Sequence, residues 1–167
     1  MNERQVTQIR RSRLNIFLFD FMQASEFSDY ILNRNLHEVR GPHTKAKLVH
    51  LALNTSLIIS YSRPFHKSNE GAGLPRASLR QHVCRVLSVD ERALHEKAID
   101  KRDQALAHSD AAAHEFEGLN YNGRGMLFYK SAFDPLTKDE TQMLRRMSRK
   151  WIKYLGELKA GSKHAHQ

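Results

Sequence analysis

The sequence predicts an all-α protein, an up-and-down bundle of four to five helices, and three observations carry that prediction. Long stretches place apolar residues at helical spacing with no glycine or proline inside them. The strong breakers fall between those stretches, at Gly41, Pro42, Pro64, Gly71, Gly73 and Pro75. The last stretch opens on a capping signature, Thr137 followed three residues on by Glu140. A chain of 167 residues is long enough for one domain with a real core and too short for two comfortable ones. The expected organisation is one helical domain over residues 1–160 and a disordered tail over 161–167.

Residues 1–13 are polar and basic, with Arg4, Arg10, Arg11 and Arg13, and read as a fraying start of the first helix or an arm that touches phosphates. Ile16, Phe17, Phe19 and Phe21 alternate enough to pass for a strand. The run continues through Met22, Ala24, Phe27, Tyr30 and Ile31 at helical spacing, so one helix is expected, its aromatics in the core, closed by Gly41 and Pro42. Thr44 to Tyr61 is apolar nearly all round and is expected to be the most buried helix, with His50 a buried imidazole whose hydrogen bonds are made. Pro64 stops it. From 62 to 85 the chain is strongly basic, with Arg63, His66, Lys67, Arg76, Arg80 and Arg85 against Glu70 alone, and its glycines lack the spacing of a P-loop.

Leu79 to Leu87 suits a short helix, and Asp90 to Asp110 reads as one long charged helix with Asp90 as its N-cap. Beyond it, Gly118, Gly123, Gly125 and the Asn-Tyr-Asn cluster argue for loop, with a short extended piece at Met126 to Tyr129. The final helix from Thr137 presents an apolar face (Met143, Leu144, Met147, Trp151, Leu155) and a basic one (Arg145, Arg146, Arg149, Lys150, Lys153). That basic stripe reads as a solvated outer face or as a surface for RNA or a partner.

Composition narrows the function classes. A net charge of +9 and a pI near 9.9 point to a polyanionic partner or an acidic protein; RNA, DNA, tRNA and an acidic antitoxin all fit. The single cysteine, Cys84, excludes an internal disulfide and a cysteine zinc site, and is read as a small core residue in a reducing compartment. No apolar run has membrane-spanning length and the N-terminus lacks a secretory pattern, so a cytoplasmic protein without membrane contact is expected.

Arg102, Asp103 and His108 are the residues best suited to chemistry. Arg102 and His108 stand six apart, about 120° around an ideal helix, so both line one groove if the helix bends or ends at His108. A guanidinium holds phosphate through a planar fork of donors. An imidazole exchanges a proton near neutral pH. Arg76 and His82 repeat the spacing, and a charged helix face with i, i+4 pairs is the plainer reading of the same residues.

Context favours chemistry. The run RDQALAHSD, Arg102 to Asp110, resembles the HEPN superfamily of helical proteins, and within it the branch associated with abortive infection. YSRPFHKS also looks like a turn of that group, which makes Arg63 a binding candidate, with Lys67 close by. The resemblance implies a helical homodimer whose two motifs face a shared cleft and cut RNA, tRNA or mRNA, with no metal and no cofactor. The ribose 2′-hydroxyl would attack the adjacent phosphate and leave a 2′,3′-cyclic phosphate. On that reading His108 is the acid or base, Arg102 the phosphate clamp, and Asp103 orients one of them. Ser109 is a further binding candidate, and Arg124 and Tyr129 come from the segment expected to wall the site. A phage-defence or toxin role follows, with a neutralising antitoxin as a partner. The rivals are a non-catalytic HEPN module that only binds RNA or protein, and a structural interaction protein in which Arg102 and His108 point apart.

Overall fold

The computed structural model describes residues 3–41, 44–66, 79–107, 115–121, 124–130 and 134–164. Three of its described helices begin where the sequence offers an oxygen to the unpaired amides of a first turn. Thr44 Oγ1 accepts from Lys47 N at 3.1 Å and opens α2 (Lys45–Ser62). Thr137 and Glu140 form the expected reciprocal box, at 2.9 and 3.2 Å, and open α5 (Lys138–His164), which runs into the stretch expected as tail. The long charged helix, α4 (Val89–Ala107), uses a second box: Ser88 N donates to Glu91 Oε2 at 2.9 Å and Glu91 N to Ser88 Oγ at 3.3 Å. Asp90 is therefore not its cap; it lies in the first turn, where a carboxylate suits the helix dipole.

The first helix, α1 (Glu3–Asn33), reaches nearly to the N-terminus and stops before the expected Gly41-Pro42 break. Asn35 adopts the left-handed conformation (φ 48°, ψ 39°), which asparagine tolerates better than most residues, and a short 3-10 turn over Leu36–Glu38 follows. Gly41, at φ +97°, then turns the chain toward α2. The short helix expected near Leu79 is a 3-10 turn over Leu79–His82 followed by α3 (Val83–Val86).

Side-chain pairs fix the helix directions. Between α1 and α5, Asn15 meets Lys159 and Asp29 meets Arg145 and Arg149, so these helices run antiparallel. Glu91 with Lys150 and Lys97 with Glu140 make α4 and α5 antiparallel too. Phe21 packs on Tyr61 while His37 packs on His50, so α1 and α2 also run in opposite senses. The result is the expected up-and-down bundle, with α4 closing against α2 through Tyr61 and His95. At its centre Trp151 stacks on Phe21 (centroids 5.6 Å apart, planes 7° from parallel) and meets the edge of Phe65 at 5.2 Å.

Among the described residues α2 is the most buried helix, as expected, but burial departs from expectation at three places. Helix α2 is buried mainly over its later turns, including Leu57, Ile58 and Tyr61, whereas Leu48 near its start is 70% exposed. The aromatic-rich face of α1 is divided, with Phe21 fully buried and Phe19 60% exposed. Cys84 is exposed, because α3 is too short to bury more than one side of itself. Between α4 and α5 the expected loop contains an antiparallel hairpin, β1 (Glu115–Tyr121) paired with β2 (Arg124–Lys130) from Glu115↔Lys130 to Tyr121↔Arg124. The extended piece expected at Met126 to Tyr129 lies within β2. Among the described residues, no helix is long and apolar enough to cross a membrane.

Candidate functional site

Phe65 anchors the site. It follows Pro64, whose ring ends α2 and directs the chain into a 3-10 turn over Arg63–Phe65. Phe65 is fully buried against Phe21, Tyr61, His95 and Trp151, and Arg80 Nε donates to its carbonyl oxygen at 3.1 Å. With Phe65 fixed, the flanking polar residues diverge. Arg63 turns back to α1, where Nη1 donates to Asp20 Oδ1 at 2.6 Å. His66 turns to α4 and meets Arg102.

Helix α4 brings Arg102 to the same place by periodicity. Glu91, His95, Ala98 and Arg102 succeed one another at steps of four, three and four, which keeps them on one side of an α-helix. That side faces α2: His95 Nδ1 lies 3.1 Å from the Tyr61 hydroxyl, and Ser62 Oγ donates to the Ala98 carbonyl at 3.2 Å. Ala98 is fully buried, and its small side chain lets the two backbones approach. Arg102 thus continues the inward seam, with its side chain 24% exposed, and is not on the solvated face that helix composition alone suggests.

Arg102 Nη1 makes two contacts, to His66 Nδ1 at 3.0 Å and to Asp103 Oδ1 at 2.8 Å. A guanidinium has no acceptor, so His66 Nδ1 is the unprotonated nitrogen and Nε2 carries the hydrogen. Nε2 lies 3.8 Å from Asp103 Oδ1 and, among the described residues, makes no hydrogen bond. Burial, then Arg102, lowers the His66 pKa; Asp103 opposes this and Arg80 adds to it. The imidazole is therefore neutral at pH 7. Arg102 uses only Nη1 for these bonds among the described residues, so its Nη2–Nε edge remains for a phosphate oxygen.

Of the candidates read from the sequence, Arg102 and Asp103 come together, and Arg63 lies on the turn that delivers His66. Arg63 is already committed to Asp20, whose side chain is 1% exposed, so it serves the fold before any ligand. Arg124 and Tyr129 occupy β2, in register with Tyr121 and Phe116. His108, Ser109 and Lys67 lie outside the described residues. His66 is the residue that sequence reasoning passed over. Its signal was the Arg-Pro-Phe-His order: an apolar anchor between two polar residues splits them toward different helices. Among the described residues, no group of three or more His, Cys, Asp or Glu is placed to hold a metal ion. Comparison with protein-family models, curated proteins and solved structures gives no match to this chain.

Proposed function

We propose that the chain is a metal-independent endoribonuclease of HEPN type, working as a cytoplasmic homodimer in phage defence or as a toxin held by an antitoxin. The observation that supports this reading best is the placement of Arg102. A guanidinium on the inward seam of α4, held through one nitrogen and with its other edge unspent among the described residues, is prepared to grip a phosphodiester six residues before His108. The net charge of +9 draws a polyanion toward it.

In the proposed reaction a base takes the proton of the ribose 2′-hydroxyl, and the 2′-oxygen attacks the neighbouring phosphorus. The bond from phosphorus to the 5′-oxygen breaks, and that oxygen gains a proton. The products are a 2′,3′-cyclic phosphate and a free 5′-hydroxyl, with no oxidant or cofactor consumed. His108 exchanges the proton and Arg102 bears the charge that grows on the phosphate.

The test separates binding from turnover. His108→Ala should abolish cleavage and leave RNA binding within about twofold. Arg102→Ala should weaken both, and the products of the unmodified chain should carry cyclic phosphate ends. RNA binding without turnover in the unmodified protein would replace the nuclease with a binding module. Linear 3′-phosphate ends formed from the outset would remove the 2′-hydroxyl mechanism.

A further inference from the structure

We propose that His66 is the positioning residue for Arg102, and that the clamp is competent only while the His66 imidazole is neutral. The ligand of this clamp, a phosphodiester, rests on the function proposed above; the coupling of the two side chains rests on geometry alone. Arg102 Nη1 donates to His66 Nδ1 at 3.0 Å, so the imidazole must accept there. The ring itself cannot swing away easily, because it follows a fully buried Phe65 and is 20% exposed. Asp103 takes the second hydrogen of the same nitrogen. His66 and Asp103 together therefore fix the plane of the guanidinium and set the direction of its free edge.

Protonation undoes this arrangement. An imidazolium carries hydrogen on both nitrogens, so Nδ1 would face the guanidinium as a donor against a donor, with two positive charges in contact. Among the described residues, the charged groups that face His66 are Arg102 and Asp103 from α4 and Arg80 from the turn before α3. Burial, with Arg102 and Arg80 adding and Asp103 opposing, places the switch below the ordinary imidazole range and leaves the clamp closed at neutral pH. Acid releases Arg102. The acid limb of activity therefore belongs in part to His66 and not to His108 alone.

The first measurement follows the imidazole nitrogens by NMR through a pH titration of the full chain, beside Arg102→Gln and Asp103→Asn. His66 should show the Nε2–H tautomer, its midpoint should rise in Arg102→Gln and fall in Asp103→Asn. An Nδ1–H tautomer, or a midpoint that ignores Arg102→Gln, would overturn the proposal. The second measurement is the pH profile of kcat/KM for RNA. His66→Leu should lose about a hundredfold at pH 7.5, the size expected when a charged clamp is displaced by an ångström. His66→Asn offers an acceptor in the place of Nδ1 and cannot titrate, so it should recover at least tenfold over His66→Leu and shift the acid limb. Equal loss in both variants, each with an unchanged helical circular dichroism spectrum, would also overturn the proposal. If the unmodified chain cuts no RNA, the nuclease reading fails and the titration alone decides the role of His66.

Discussion

Asp20 is the most exacting residue in the bundle. It sits on α1 with a side chain 1% exposed and, among the described residues, pairs with one cation, Arg63, at 2.6 Å, while its other oxygen, Oδ2, makes no hydrogen bond there. Burial raises its pKa by more than the charge and hydrogen bond of Arg63 lower it, so the folded value lies above the ordinary one. A carboxyl raised in the folded state contributes most below its unfolded pKa and loses that contribution as pH rises through the folded value. Arg63→Ala deepens the effect by removing the lowering influences that the described residues supply. It is predicted to destabilise the protein by about 3 kcal/mol at pH 7, after discount for the half-exposed arginine, and by less at pH 4. Urea unfolding at the two pH values measures this, and an equal loss at both would refute it. His50 works in the opposite sense. Burial, with His37 and Lys47 adding, lowers it to about 4, and neither ring nitrogen has a hydrogen bond among the described residues, contrary to the satisfied imidazole expected from sequence. Stability should therefore fall as pH drops from about 6.5 toward 4, by about 3 kcal/mol if the whole shift is expressed, and His50→Leu should flatten that slope. At this scale the sequence identified side chains but not their partners. Arg102 was recognisable from RDQALAHSD, whereas His66 lies 36 positions earlier, and only the crossing of α2 and α4 brings the two together.

Helix starts were readable where the capping oxygen has no competitor. Thr137 caps as expected and Thr44 caps α2 in the same way, but at α4 the sequence offers both Ser88 and Asp90. Glu91 decides between them, since it can return a bond to the Ser88 amide and is also gripped by Lys150 at 2.7 and 2.8 Å. Burial alone would raise the Glu91 pKa; the bonds from Lys150 and Ser88 outweigh it and hold the carboxyl below its usual value. Ser88→Ala should cost about 1 kcal/mol while Asp90→Ala costs only a few tenths, a difference that thermal unfolding of the two variants resolves. Equal costs would restore Asp90 as the cap. The basic stripe of α5 is largely spent inside the molecule: Arg145 and Arg149 on Asp29, and Lys150 on Glu91. These pairs tie α5 to α1 and α4, which weakens the case for this face as an RNA surface. The hairpin was missed for a related reason. Asn122-Gly123 between two runs of alternating character is a strong hairpin signal, but Gly118 and Gly125 within those runs made the whole segment look like loop.

Across the whole molecule, the bundle was legible because each of the four long helices among the described residues can hide an apolar face only on its neighbours. The aromatic centre of Phe21, Tyr61, Phe65 and Trp151 draws on α1, α2, the turn after it and α5, and so holds the site turn and the bundle together. Trp151→Ala should cost about 3–5 kcal/mol in stability. On the proposed nuclease reading it should also reduce RNA cleavage, since it loosens the bed of Phe65 and through it His66. The ordering that the site needs is therefore built from the core outward. The most direct test of the central proposal is cleavage of total tRNA by the purified full chain in excess EDTA, wild type beside His108→Ala. Cutting that persists in the chelator and disappears in the variant is the predicted result. Cutting that stops with EDTA, or that survives in His108→Ala, would contradict it.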